Sequence, residues 1–279
     1  MKQVGMIRPC DLHLHSHYSD GNLSPEELVA HARSQKLSAV SITDHDTILG
    51  QVEAFNAGEK LGIEIITGIE FSVREEGTSI HILGYHFDHT DNALGESLLE
   101  LERGRRERAR TIVWKLGARG ISCSFDEVVK QAGRGTIGRP HIAKILLETG
   151  VVRGIQEAFN RFIGAGAPCY VPKKVLHLDQ VISLIEGAGG VAVWAHPGPL
   201  IRNEALLERL CRAGIKGLEA WHPNHTPRLS DEVQRAALGR DLFCTGGSDY
   251  HFTEAMQSPV GGIAVSYDAV NAIKRAAGS

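Results

Sequence analysis

The chain has 279 residues, 42% apolar and 23% charged, a composition that supports one full globular core with room for a barrel of about 250 residues. Its formal charge of −3 excludes the strongly basic surface that a nucleic-acid duplex requires, though not a short nucleotide held by a few arginines. The opening MKQVGMIRPC lacks a leader-like apolar run, and no segment nears the ~20 apolar residues of a membrane span, so a cytoplasmic protein without membrane contact is expected.

In chain order, apolar runs around 9–14, 38–43, 62–71 and 79–87 are strand candidates. Ser24-Pro25-Glu26-Glu27 has the residues of a capping box with proline at the first helical position, and it opens a helix toward Lys36. A second helix through Val52, Ala54 and Phe55 ends near Gly62. Strand and helix in alternation predict parallel βα units. The rhythm breaks over residues 93–168, where helical patterns at 93–118, 125–132, 140–149 and 153–163 are punctuated by glycine. It returns with strands at 190–195, 215–221 and 241–246, separated by helices near 177–188, 203–213 and 229–238. The expected fold is therefore α/β, a distorted barrel over residues 1–92 and 169–279, with a small all-helical domain inserted at 93–168 as a substrate lid. Ligands of such folds gather at the C-terminal ends of the strands.

The five cysteines are scattered and never spaced as CxxC, so they are expected to be reduced packing residues. The fourteen histidines are distributed differently. His13 and His15 stand two apart on a strand pattern, which puts both side chains on one face. Asp20 follows in a Ser-Asp-Gly turn, His45 in Thr43-Asp44-His45-Asp46 after the second strand, and Glu70 at the end of the third. His81 lies in the fourth strand, His196 closes VAVWA, and Asp249 and His251 follow FCTGG. Each group lies at or near a strand end, whereas chance would scatter them over helices as well. Imidazoles mixed with carboxylates suit manganese, zinc or iron, and so many ligands exceed the needs of one ion. Two or three divalent ions are expected, manganese first.

The strings DLHLHSHYSDG, SITDHDT, GIE, WAHP and GSDYH resemble, in order and spacing, the polymerase-and-histidinol-phosphatase (PHP) superfamily. The inserted GRPHIAKILLETG and APCYVPK are similar to a subgroup associated with 3′,5′-nucleoside bisphosphate phosphatase and short-RNA 5′-exonuclease activity. The resemblance implies a (β/α)7 barrel with a multinuclear centre. In it His13, His15, Glu70 and Asp249 hold one ion; Glu70 bridges to a second completed by His81 and His196; Asp20, His45 and His251 form a third site.

Such a centre generates hydroxide near neutral pH and clamps an in-line phosphoryl displacement. Hydrolysis of a phosphate monoester is expected, with Asp20, His45 or a histidine of the 221–225 run, His225 included, protonating the leaving oxygen. In the insertion, Gly138-Arg139-Pro140-His141 starts a helix whose exposed amides favour an anion, and Arg139 offers a fork for phosphate. Arg105 and Arg108, three apart on one helix face, and Lys173 are further candidates. Two cationic features suit a substrate with two phosphates, and the resemblance implies a nucleoside 3′,5′-bisphosphate cleaved at its 3′-phosphate. The alternatives are a 5′–3′ exonuclease on short RNA, a histidinol-phosphate-type phosphatase, and a PHP domain that binds without catalysis. No obligate protein partner is implied.

Overall fold

The computed structural model describes residues 8–252 and 258–278. Most of the N-terminal stretch read above for a leader, through residue 7, lies outside them. The chain divides into two compact units, one made of the residues up to Gly95 and from Leu176 onward, the other of Glu96–Val175.

In the first unit, β1 (Pro9–Leu14) leads through α1 (Pro25–Ser34) to β2 (Ala39–Ile42), and α2 (Gln51–Leu61) leads to the short β3 (Glu64–Ile65). Ser24 caps α1 as expected: its hydroxyl accepts from Glu27 N–H while the Glu27 carboxylate accepts from Ser24 N–H. β1, β2 and β3 pair in parallel. β4 (Gly68–Glu75) and β5 (Thr78–Tyr85) then form an antiparallel hairpin. Its turn, Glu76-Gly77, has positive φ at both residues, 46° and 82°, which matches the right-handed twist of the strands it joins. After the second unit come α7 (Leu178–Gly187), β6 (Val191–Trp194), a 3₁₀ turn (Gly198–Arg202), α8 (Glu204–Ala213), β7 (Gly217–Trp221), α9 (Pro227–Leu238) and β8 (Phe243–Gly246). A last strand, β9 (Val265–Ser266), pairs antiparallel with β1 and is followed by α10 (Asp268–Ala276). Neither of these last two elements was anticipated.

The described strands form two sheets, ordered β3-β2-β1-β9 and β4-β5-β6-β7-β8, rather than one continuous ring. Isolated bridges Leu14↔Tyr250 and His45↔Glu70 join the sheets at the strand ends. The fold is mixed α/β, and β5 lies antiparallel to both of its neighbours where parallel βα units were expected throughout. The cause is the two-residue Glu76-Gly77 turn, since only a long crossover can return a chain parallel to itself. Apolar layers flank the sheets: Leu12, Tyr85, Val193 and Val270 belong to one buried cluster and Leu14, Leu28, Ile42 and Ala54 to another.

The second unit contains α3 (Asn92–Gly117) from Glu96 on, α4 (Phe125–Ala132), α5 (Arg139–Glu148) and α6 (Ile155–Ala158), the last continued by a π turn (Phe159–Ile163). It has its own core, with Ile112, Leu116, Val128, Ile142, Leu146 and Ile163 buried together. This unit runs to Val175, past the expected return at 168, because the segment after Cys169 is tied to α3. Arg108 Nε donates to Val171 O at 2.8 Å, and Lys115 Nζ donates to Tyr170 O at 2.8 Å.

Candidate metal centre

The first unit gathers His13, His15, Asp20, His45, Glu70, His81, His196, Asp249 and His251 into four overlapping ligand groups. These are His13/His15/Asp249, His13/Glu70/His196, His45/Glu70/His81 and His15/Asp20/His45/His251, with the ligand atoms of each group within 4.8 Å of one another.

β1 delivers His13, and His15 follows it directly. The loop carrying Asp249 is drawn against β1 by main-chain bonds, Asp249 N–H to His13 O and His15 N–H to Tyr250 O, both 2.9 Å. Asp11 accepts from Ser248 N–H at 2.9 Å and Gly261 N–H at 2.8 Å, which holds the same loop. The approach is close enough to require glycine at 247, where a Cβ would lie 2.4 Å from His13 N. Asp44 pins the turn before Asp20, accepting from Ser16 N–H at 2.7 Å and from the Ser16 and Ser19 hydroxyls at 2.6 Å. Backbone pairing between His45 and Glu70 sets those two residues side by side. Asp46, His196 and Asp249 hold positive φ without being glycine (54°, 26° and 48°), a strained conformation that clusters at functional sites.

Glu70 is the hub. Its Oε1 lies 2.8 Å from His81 Nδ1 and 3.0 Å from His196 Nε2, and its Oε2 lies 3.0 Å from His45 Nδ1, 3.3 Å from His15 Nε2 and 3.5 Å from His13 Nε2. Asp249 Oδ1 stands 3.3 Å from His13 Nε2 and 3.1 Å from His15 Nε2, and those two nitrogens are 3.1 Å apart. Atoms sharing an ion at about 2.1 Å lie about 3.0–3.4 Å from each other in octahedral and tetrahedral shells. The separations in this group therefore fit a metal. So does the chemistry: Glu70 Oε2, Asp20 Oδ1 and His45 Nδ1 are buried polar atoms without a hydrogen-bond partner among the described residues, an expensive arrangement for a purely structural cluster.

The electrostatics agree. Burial alone would raise Glu70, but His45, His81 and His13 outweigh it and hold the carboxyl well below its usual range. Asp249 is held low in the same way, burial being overcome by His13 and by hydrogen bonds from His15 and His222. Burial opposes charge on His15, yet the neighbouring Asp249 and Glu70 carboxylates push it up to about 10. These carboxylates are stabilised by positive charge at the centre of the cluster, the requirement that a divalent cation meets.

Glu219, which was not anticipated, and His222, one of the histidines of the 221–225 run, also touch it. Glu219, fully buried on β7, lies 2.9 Å from His13 Nδ1, and His222, just past β7, lies 3.1 Å from Asp249 Oδ2. A lone glutamate in the otherwise apolar Gly217–Trp221 was the only local sign of the former. His225, expected as a candidate proton donor, does not suit that role. Its Nδ1 donates to Ala220 O at 3.0 Å and its Nε2 accepts from Gly198 N–H at 3.1 Å, so both nitrogens are spent on backbone.

In the helical unit, Arg105, Arg108 and Arg139 line one small cavity with Gly138, Ile137, Ile142, Ala109 and Ile112. The Arg139 guanidinium donates to Ile163 O at 3.2 Å. Burial, with Arg139 and Arg105 nearby, lowers Arg108 to about 10. His141 does not line the cavity: its Nδ1 accepts from Gly138 N–H at 3.1 Å, closing the first turn of α5. Lys173, half-buried in the return segment, is not among the lining residues either.

No helix among the described residues is long and apolar enough to cross a membrane. Residues 11–148 match the family model described as PHP domain. A 3′,5′-nucleoside bisphosphate phosphatase of Chromobacterium violaceum is 35% identical over 249 residues, 86% of each chain. A 5′–3′ exoribonuclease of Haemophilus influenzae is 36% identical over 253 residues, 88% of this chain and 91% of the relative. Among solved structures, a protein assigned as a metal-dependent phosphoesterase from Bifidobacterium adolescentis superposes with a TM-score of 0.86 at 32% identity, covering 96% of each chain. With sequence likeness over most of its length, the same fold and a clustered set of imidazoles and carboxylates, the chain belongs to the PHP family and is a metal-dependent hydrolase.

Proposed function

We propose that the protein removes the 3′-phosphate from a nucleoside 3′,5′-bisphosphate, using two or three divalent ions, manganese first and zinc or iron as alternatives. The observation that carries this reading is the set of four overlapping ligand groups sharing Glu70, His13, His15 and His45. Its substrate class is supported by the likeness to the Chromobacterium violaceum phosphatase. The finer architecture we assign is a distorted (β/α)7 barrel, its ring left incomplete, carrying an inserted helical domain. His13, His15, Glu70 and Asp249 would hold one ion, Glu70, His81 and His196 a second, and Asp20, His45 and His251 a third. Bound there, the ions supply a hydroxide near neutral pH and neutralise charge on the phosphoryl oxygens.

The chain's own residues do the rest. Burial is outweighed at Asp20 by His45 and His251, which hold its carboxyl far below its usual range and remove it as a proton source near neutral pH. Of the expected donors this leaves His45, in the two-ion form where it holds no third ion; its Nε2 stands 3.8 Å from Asp20 Oδ2, and burial, outweighing Glu70 and Asp20, lowers its pKa. The helical unit, through Arg105, Arg108 and Arg139, takes the 5′-phosphate; His141 shapes the start of α5, and Lys173 adds positive charge to the return segment.

The test is phosphate release, with manganese present, from 3′-phosphoadenosine-5′-phosphate, histidinol phosphate and a short 5′-phosphorylated RNA. The bisphosphate is expected to give the highest kcat/KM; a bisphosphate no better than simple monophosphates would sink the two-phosphate reading. Preference for the RNA would instead favour exonucleolytic trimming, the reading that the likeness to the Haemophilus influenzae enzyme supports.

Two further outcomes are expected. Purified protein should carry more than one equivalent of transition metal by plasma mass spectrometry. Less than one equivalent, with no gain of activity on adding manganese, would leave a non-catalytic domain. Arg139→Ala should raise KM for the bisphosphate about tenfold or more while leaving a generic aryl phosphate nearly unchanged, as loss of one charged hydrogen bond of about 1.5–3 kcal/mol predicts. Equal effects on both substrates would refute the anchoring role.

A further inference from the structure

β7 contributes no member to the four ligand groups, yet it and its exit carry two buried groups aimed at them. Glu219 lies between Leu218 and Ala220 with no solvent exposure at any of the three. Its Oε1 is 2.9 Å from His13 Nδ1, and its Oε2 accepts the His196 backbone N–H at 2.7 Å. An ionised carboxylate only accepts, so when His13 is neutral its proton sits on Nδ1 and the Nε2 lone pair is turned toward His15, Asp249 and Glu70. The second contact holds His196 at its strained φ of 26°. One side chain thus orients two ligands from different strands. His222 repeats the arrangement on Asp249. Its Nδ1 accepts from Asn224 N–H at 3.1 Å, which leaves Nε2–H to donate to Asp249 Oδ2, while Oδ1 faces His13 and His15.

A structural reading of Glu219 is weak on energetic grounds. Taking a carboxylate fully out of water costs several kcal/mol, and an apolar residue between Leu218 and Ala220 would avoid that cost. Hydrogen bonds behind a ligand that fix its tautomer and raise its basicity repay it, and their loss lowers metal affinity by about 10–100-fold.

We propose that Glu219 is a positioning residue that sets the metal affinity of the centre, by fixing the Nδ1–H tautomer of His13 and the backbone of His196 together, with His222 doing the same for the Asp249 carboxylate. The inference rests on the metal-centre reading above.

The experiment is calorimetric titration of Mn2+ into the stripped full-length protein, wild type against Glu219→Gln and Glu219→Asp. Glutamine keeps the shape but has one accepting oxygen, so it satisfies only one of the two N–H donors. Aspartate keeps the charge but withdraws it by a methylene. Both are expected to bind Mn2+ about 10–100-fold more weakly. Long-range ¹⁵N correlation spectra of the stripped proteins, taken at a pH where His13 is neutral, should show a mixture of His13 tautomers in Glu219→Gln and Nδ1–H alone in the wild type. If one variant fails to fold, the other carries the comparison. Wild-type affinity and stoichiometry in a folded variant, with its melting temperature lowered equally with and without Mn2+, would make Glu219 a packing residue and overturn the proposal alone. A wild type that takes up no Mn2+ would overturn the metal-centre reading and this inference with it.

Discussion

Glu70→Gln is expected to lower phosphoester hydrolysis by about three orders of magnitude and to reduce the bound metal, the largest effect of any single substitution in this chain. Five imidazoles converge on this one carboxylate: His81 and His196 on Oε1 and His45, His15 and His13 on Oε2. Glutamine removes the charge and replaces one accepting oxygen by a donor, so it faces nitrogens that it cannot serve. Ions that polarise phosphoryl oxygens supply several kcal/mol of transition-state stabilisation, and about 4 kcal/mol corresponds to roughly a thousandfold. The measurement pairs kcat/KM on an aryl phosphate with metal content by mass spectrometry, with circular dichroism to confirm folding. Activity within tenfold of wild type in a folded variant would remove Glu70 from the centre.

The second large effect is expected at a residue with no side chain. A Cβ on residue 247 would sit 2.4 Å from His13 N and Cβ and 2.8 Å from His13 Cα. Neither partner can retreat freely. β1 is paired with β2 on one side and β9 on the other, and the 247–250 loop is bonded to it through Asp249 N–H and His15 N–H. Gly247→Ala should therefore cost about 3 kcal/mol, the upper end for overpacking in a closed site. It should also weaken metal binding, because the strain falls between His13 and Asp249, two members of one ligand group. Urea unfolding of the metal-free protein measures the first effect and Mn2+ titration the second. A loss below about 0.5 kcal/mol would show that the loop relaxes without disturbing β1.

Much of the site was legible because its residues follow local rules. His13 and His15 share a face through the period of two of a strand. His196 and the Asp249/His251 pair stand just past β6 and β8, where α/β folds collect their ligands. Helix starts were equally visible: the Ser24 box predicted the first turn of α1 to the residue. Other features left weaker traces. The β4–β5 hairpin depends on two residues, Glu76 and Gly77, which read equally well as a break between two βα units. The sheet divides in two because its joins are single bridges at strand ends, and a single bridge needs no sequence run. His225 looked like an acid because histidines at strand exits often are; only the positions of Ala220 O and Gly198 N show both of its nitrogens occupied.

The sequence by itself therefore determined the family, the α/β class and the identity of the groups that converge, since strand period, strand ends and motif order are properties of neighbouring residues. The tertiary structure decided how those groups are held: which nitrogen of His13 faces Glu219, which oxygen of Asp249 faces the centre, and which histidine is spent on backbone. The physical reason is distance along the chain. His13 and Glu219 are 206 residues apart, and a hydrogen bond between them constrains neither local conformation nor composition at either end. Only packing two strands of different sheets against one centre brings the two together.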